Sequence, residues 1–161
     1  IIRGLVGSEM CIRDRVFLLR HAKSSWDNLN ISDIDRPLNK RGIKNAKKLA
    51  IYLRNKPIEI EQVICSPSAR TIHTYNLIKK SLNKDHHFIT DQSIYECNEN
   101  ILTKLIKKIN KNTLIIGHNP SITESLNKIC KTKIDNIATC TLVKIIKKNK
   151  YFLSDIIKPV K

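Results

Sequence analysis

Arg20-His21, Arg70 and His118 each follow a short apolar run, or the turn just after one, and together they can do one kind of chemistry. Two guanidiniums offer fixed forks of donors that match the oxygens of a phosphate, and they keep their charge. An imidazole adds a donor when protonated and a nucleophilic nitrogen when neutral. Repulsion from neighbouring arginines favours the neutral form. A neutral histidine in such a cradle can attack phosphorus, giving a phosphohistidine that water then hydrolyses. The cations stabilise charge on the transferring group. This chemistry calls for no metal and no cofactor. The chain shows no Walker-type glycine loop, no Gly-x-Ser-x-Gly elbow and no carboxylate cluster suited to Mg²⁺. Taken singly, each residue has a plainer reading. Arg20-His21 could be a surface pair, Arg70 a solvated or acid-paired residue, and His118 a satisfied, semi-buried imidazole. Their recurrence at one topological position weighs against that.

The elements that must position them follow from hydrophobic patterning. Val16 to Leu19 is a continuous apolar run, as in a buried parallel strand. A polar loop runs to about Asn39, which is the expected N-cap of a helix with Ile43, Ala46, Leu49, Ala50 and Leu53 inward, stopped by Pro57. Glu61 to Cys65 reads as the second strand. A helix then starts around Ser66-Pro67-Ser68 and buries Ile72, Tyr75, Ile78 and Leu82. Phe88-Ile89 is a short extended piece leading to Ile94-Tyr95. Asn98 or Asn100 caps a helix with Ile101, Leu105, Ile106 and Ile109 inward, and Thr113 to Gly117 is a further strand. His118-Asn119-Pro120 opens a helix to about Ile129. Ile137 to Ile146 and Tyr151 to Ile157 are strands joined by a tip at Lys147 to Lys150. The alternation implies an α/β domain, a three-layer α/β/α sandwich with a mostly parallel central sheet. Ligands bind beyond the carboxyl ends of such strands, which is where the two Arg and two His emerge.

The chain has 161 residues, 41% hydrophobic and 27% charged, which fits one domain and excludes a disordered chain. No apolar run approaches the roughly 18 to 20 residues of a membrane-spanning helix. Thirty Lys and Arg against 14 Asp and Glu give a net charge of +16. Nucleic-acid binding would use such charge, but aromatics amount to only 5%, too few for base-stacking platforms. The lysines are also spread along the chain, as at Lys44, Lys47, Lys48, Lys107, Lys108, Lys147 and Lys148. A solvated cationic surface that attracts anionic substrates is the reading adopted. Cys11, Cys65, Cys97, Cys130 and Cys140 show no metal-ligand spacing, and their odd number suggests reduced thiols in a cytoplasmic protein. Residues 1–15 carry three Arg and no Lys, break from the Lys/Ile/Asn-rich body, and are similar to translated adapter sequence. They are read as a non-native extension, with residues 16–161 as a single domain.

Four ordered blocks then carry a family resemblance. Leu18 to Asp27, LLRHAKSSWD, resembles the opening signature of the histidine phosphatase superfamily, whose fold is phosphoglycerate mutase-like, and its KSSWD part is similar to the small SixA-type branch of phosphohistidine phosphatases. Asp35-Arg36-Pro37-Leu38 with Arg41-Gly42, Cys65 to Thr71, and Ile116 to Pro120 match the later blocks, and Thr139 to Ile146 resembles the branch's late strand. The resemblance runs from about Val16 to Pro159. It implies that His21 becomes phosphorylated and that Arg20, Arg70 and His118 complete the phosphate pocket. Ser66 either contacts phosphate or caps a helix. Lys23 either lines the entrance or is solvated. Trp26 either covers the pocket or packs against the first helix. Glu96 falls where larger members place a general acid, a residue the SixA-type branch commonly lacks; imidazole is a better leaving group than an alkoxide and needs less proton donation. The implied substrate is a phosphohistidine-bearing protein of the histidine-phosphotransfer or phosphocarrier type, acting in signal transduction, with no nucleic acid or membrane partner and a monomeric state favoured. The competing expectations are a small-molecule phosphomonoesterase for a sugar or nucleotide phosphate, and a non-catalytic phosphate-binding module.

Overall fold

Successive strand residues point to opposite faces, so a strand that is apolar without a break must be covered on both. In the computed structural model, which describes residues 14–159, the strand β1 (Arg15–Arg20) behaves in this way. Phe17 and Leu19 enter one core while Val16 and Leu18 enter another. β1 begins one residue before the expected native start at Val16. Apart from Asp14 and Arg15, the stretch read as non-native lies outside the described residues.

The helices α1 (Lys40–Asn55) and α2 (Ala69–Ile78) cover the first face. The helices α3 (Glu99–Lys108) and α4 (Ser121–Cys130) cover the second. The remaining strands are β2 (Gln62–Cys65), β3 (His87–Thr90), β4 (Thr113–Gly117), β5 (Leu142–Lys147) and β6 (Tyr151–Ile157). The sheet order is β3-β2-β4-β1-β5-β6. β3, β2, β4 and β1 are parallel, while β5 and β6 add an antiparallel edge. This is the three-layer α/β/α arrangement expected from the element order.

Local chemistry sets the ends of the helices. Asn39 caps α1 by accepting a hydrogen bond from the Gly42 amide at 2.8 Å. Asn98 caps α3 through the amides of Asn100 and Ile101. Gly42 is required for space: a Cβ there would lie 2.1 Å from the Lys23 carbonyl oxygen. The first turn of α1 thus presses on the loop that leaves β1. The Asn39 amide donates to that same carbonyl at 3.0 Å, which fixes the backbone two residues past His21.

Three expectations need correction. Ile101 is exposed and Leu105 half-buried, because the inward stripe of α3 is centred on Leu102 and Ile106, one residue further round the helix. Leu82 is buried but lies past the end of α2, after a 3-10 turn at Lys79–Ser81. The segment expected to start a strand at Ile137 leaves the sheet until Leu142. Its Cys140 amide bonds the carbonyls of Arg20 and His21, with Cys140 at φ 58°.

Candidate active site

Strand register does most of the assembly. β1 places Arg20 beside Gly117 of β4, and β2 places Cys65 beside Ile116 of β4. His21, His118 and Ser66 are the next residues of the three strands, so they leave the sheet side by side. Two ladder-like bonds continue past the strand ends: the His21 amide to the Gly117 carbonyl at 3.1 Å, and the Ser66 amide to the Ile116 carbonyl at 3.0 Å. The two imidazole rings stand 5.2 Å apart between centroids. Arg70 joins them from the first turn of α2, which starts directly after β2. His21, Arg70 and His118 are only 8%, 6% and 8% exposed.

The tautomer of His21 is set by its neighbour. Nδ1 lies 2.7 Å from the Ala22 carbonyl, an acceptor only, so Nδ1 carries the proton and donates. Nε2 is left with its lone pair. The Ala22 amide is itself anchored on Thr74 Oγ1 at 3.0 Å, and that hydroxyl donates to the Arg70 carbonyl at 2.7 Å. The backbone around the nucleophile and the helix carrying Arg70 are therefore tied together.

Burial pushes His21 down to about 4, with the charges of Arg70, Arg20 and Arg36 adding to the effect and the Ala22 carbonyl opposing it. His118 is lowered to about 3, again first by burial, then by His21, Arg70 and Arg20, against Asp33. Arginine repulsion, expected from the sequence as the cause of neutrality, is the smaller contribution. Both imidazoles are neutral at physiological pH.

Four buried nitrogens here have no hydrogen-bond partner: Nε of Arg20, Arg36 and Arg70, and Nδ1 of His118. Arg20 is held elsewhere by its Nη1, which donates to the Ile137 carbonyl at 2.8 Å. The same carbonyl accepts from Asn119 Nδ2 at 3.0 Å, so the start of the 137–141 segment is bonded to the site. Unsatisfied guanidinium nitrogens on buried side chains are costly unless a ligand completes them. An oxyanion is the ligand that suits them.

The remaining candidates separate. Ser66 donates to or accepts from His118 Nε2 at 2.7 Å, and Ser68 takes the capping role at the start of α2. Lys23 is exposed. Trp26 is 63% exposed and lies under the Arg36 guanidinium at 3.7 Å, so it neither roofs the pocket nor packs against α1. Glu96 is exposed, in a left-handed backbone conformation at φ 56°, and makes no hydrogen bond with the four residues. The preceding Tyr95 instead meets His118 edge-on, with ring centroids 5.7 Å apart.

Two participants were missed from the sequence. Asp33 accepts from Arg70, Arg36 and Tyr95, and Tyr95 joins it to His118. The hydrogen bond from Arg36 is the leading reason its carboxyl is held far below the usual carboxylate range. The available signal was position: Asp33 lies three residues before Arg36, two residues ahead of the block Asp35-Arg36-Pro37-Leu38. Among the described residues no group of three or more His, Cys, Asp or Glu is arranged to hold a metal ion.

A mostly parallel α/β sheet whose switch-point edge gathers two arginines around two neutral histidines defines a class of phosphoryl-handling domains. The chain belongs to the histidine phosphatase superfamily (branch 1), whose family model matches residues 16–113. A chloroplastic protein of Arabidopsis thaliana, itself uncharacterised, is 30% identical over 141 residues, covering 80% of this chain and 64% of the relative. The phosphohistidine phosphatase SixA of Escherichia coli is 33% identical over 69 residues, 43% of this chain and 42% of that protein. The chain thus spans less than two thirds of these relatives. In fold it is similar to a protein of Agrobacterium tumefaciens assigned as a SixA phosphohistidine phosphatase, with TM-score 0.82 and 22% identity over 91% of this chain and 99% of that one.

Proposed function

We propose that the chain is a phosphohistidine phosphatase that works through a covalent intermediate on His21. The observation that carries this reading is the state of His21: neutral, with Nδ1 pinned to the Ala22 carbonyl and Nε2 free to attack. Nε2 forms a bond to phosphorus as the phosphorus–nitrogen bond of the substrate breaks, and the departing imidazole nitrogen takes up a proton. Water then attacks the phosphorylated His21, releases inorganic phosphate and restores the lone pair on Nε2. Arg20, Arg70 and His118 carry the equatorial oxygens through both steps, with Ser66 orienting His118.

A protein-borne substrate is supported by the loop next to the site. Trp26, Leu29 and Ile31 are three of the six large apolar side chains exposed among the described residues. The loop is tied to the pocket through Arg36 and Asp33. A partner of the histidine-phosphotransfer or phosphocarrier type would meet this rim while its phosphohistidine enters the pocket. The proposed setting is the cytoplasm, supported by four free thiols among the described residues.

The test is hydrolysis in the presence of EDTA of phosphoramidate, a phosphohistidine protein and p-nitrophenyl phosphate, by wild type and His21→Ala. Activity lost in the variant and strongest on the phosphorus–nitrogen substrates is the expected result. Activity confined to esters would move the substrate to a metabolite, and no activity on any of them would leave a binding module.

A further inference from the structure

A guanidinium has an end edge, made by its two Nη groups, and side edges that include Nε. In Arg70 the end edge is already occupied. Nη1 donates to the Asp33 carbonyl at 2.7 Å and Nη2 to Asp33 Oδ2 at 3.1 Å, which leaves Nε buried and without a partner. The same Oδ2 accepts from the Tyr95 hydroxyl at 2.8 Å, and Oδ1 accepts from Arg36 Nη2 at 2.7 Å. Arg36 in turn donates to Ser24, three residues past His21, and stacks on Trp26. One carboxylate therefore gathers donors from three separate stretches of chain.

We propose that Asp33 is a positioning residue, which holds the end edge of Arg70 so that its Nε side is presented to the substrate phosphate. Three observations carry this. Arg70 is attached at both Nη groups to one residue, so its plane cannot swing. Its one unpartnered nitrogen belongs to the same set as Arg20 Nε, Arg36 Nε and His118 Nδ1, the other buried nitrogens of the site that lack partners. Tyr95 links the far side of Asp33 to the His118 ring, so the carboxylate is braced from both sides of the pocket. The inference rests on the pocket being a phosphate site. Its physical alternative is that the Asp33 carboxylate is an internal anion occupying Arg70 in competition with substrate.

The two make opposite predictions for Asp33→Ala and Asp33→Asn. The readouts are calorimetric affinity for tungstate and inorganic phosphate, and kcat and KM for phosphoramidate. If Asp33 positions Arg70, the alanine variant binds both oxyanions about tenfold or more weakly and loses kcat on a similar scale, as expected when a partner that orients a binding group is removed. The asparagine variant recovers most of this loss, because its amide oxygen still accepts from Nη2, the one bond to Arg70 that alanine removes; the backbone carbonyl that accepts from Nη1 is kept in both variants. Tyr95→Phe shows a smaller loss in the same direction. Tighter oxyanion binding by Asp33→Ala would overturn the proposal in favour of competition. Unchanged affinity and kcat with only a lower melting temperature would overturn it in favour of a purely structural clasp. Wild type that binds tungstate but hydrolyses nothing would defeat the proposed reaction alone, with the binding comparison still deciding Asp33. Wild type that binds neither oxyanion would overturn both.

Discussion

The two ends of the sheet are built from the same three strands and solve opposite problems. At the amino ends of β1, β2 and β4, Asn112 settles the backbone. Its side-chain oxygen accepts from the Arg15 amide at 3.0 Å, its amide donates to Glu61 Oε2 at 2.8 Å, and its carbonyl accepts from the Glu61 and Gln62 amides. At the carboxyl ends the backbone is just as well paired, but side-chain nitrogens of Arg20, Arg36, Arg70 and His118 are left over in buried positions, against Arg15 Nε alone at the amino ends. Carboxylates Asp14, Glu59 and Glu61 line a cavity at the first end. Arginines outnumber the one acid, Asp33, within the second cluster. An end whose backbone is settled by Asn112 supports the fold; a cationic end that gathers four unpartnered nitrogens is ready for an anion. Folding energy gained elsewhere must offset the cost of leaving those donors open.

That contrast is testable by loss of function at one end and loss of stability at the other. At the carboxyl end, His21→Ala should reduce turnover by at least about a thousandfold, the scale of removing a covalent nucleophile. Arg70→Ala should cost about 10²–10³ in kcat on phosphoramidate, as for removal of a donor aimed at transition-state charge. Arg70→Lys should recover little, because an ammonium cannot keep two bonds to Asp33 while also presenting a fixed side donor. Near-wild-type kcat in Arg70→Lys would show that charge alone is used.

The acid limb of kcat/KM sharpens the same comparison, since it reports the free enzyme. With His21 lowered to about 4 by burial and neighbouring arginines, activity should hold as pH falls through 6.5 and decline only near 4. Stability should behave differently. The unfolded chain protonates its histidines near 6.5, whereas the folded chain resists until about 4 at His21 and about 3 at His118. Between those values the unfolded state binds more protons, so stability decreases as pH falls from about 6.5. Denaturant titrations across pH 4 to 7 should show this slope, and His21→Ala should reduce it. A wild-type acid limb at 6.5 would contradict the burial argument.

At the opposite end, Asn112→Ala leaves the Arg15 amide without its acceptor and should cost about 1–3 kcal/mol of stability. The kcat and KM of the folded variant should match wild type. A fall in kcat with unchanged stability would mean that the two ends are coupled through β4.

Much of this was legible in the sequence, for identifiable reasons. The unbroken apolar run Val16 to Leu19 required cover on both faces, and a parallel sheet then required Arg20-His21, Ser66 and His118 to emerge at one edge. Their types supplied the chemistry. Less legible was anything fixed by loops closing over the edge. Asp33 and Tyr95 lie in polar connections 62 residues apart, and no local periodicity brings them together. Ile137 to Thr141 has the apolar content of a strand, yet its backbone is used by Arg20 and Asn119 in place of a neighbouring strand. The choice of Ile101 over Leu102 failed because adjacent apolar residues define two stripes, and only packing on the sheet selects between them.

Glu96 gives the smallest expected effect and the narrowest test of where the site ends. As a general acid it would have to reach the leaving group, and its loss would cost about 10²–10⁴ on a substrate with a poor leaving group. The structure instead shows an exposed carboxylate at a left-handed turn, whose charge helps to raise the pKa of the Tyr95 hydroxyl. Glu96→Gln should therefore change kcat on phosphoramidate by less than about twofold, within the range of removing an exposed charge. The comparison that decides is between substrates. A general acid matters more for an alkyl phosphate, whose alkoxide must be protonated as it leaves, than for a phosphoramidate whose nitrogen already holds protons. Equal, small effects on both would place the edge of the catalytic cluster at Tyr95; a selective loss on the alkyl ester would extend it to Glu96.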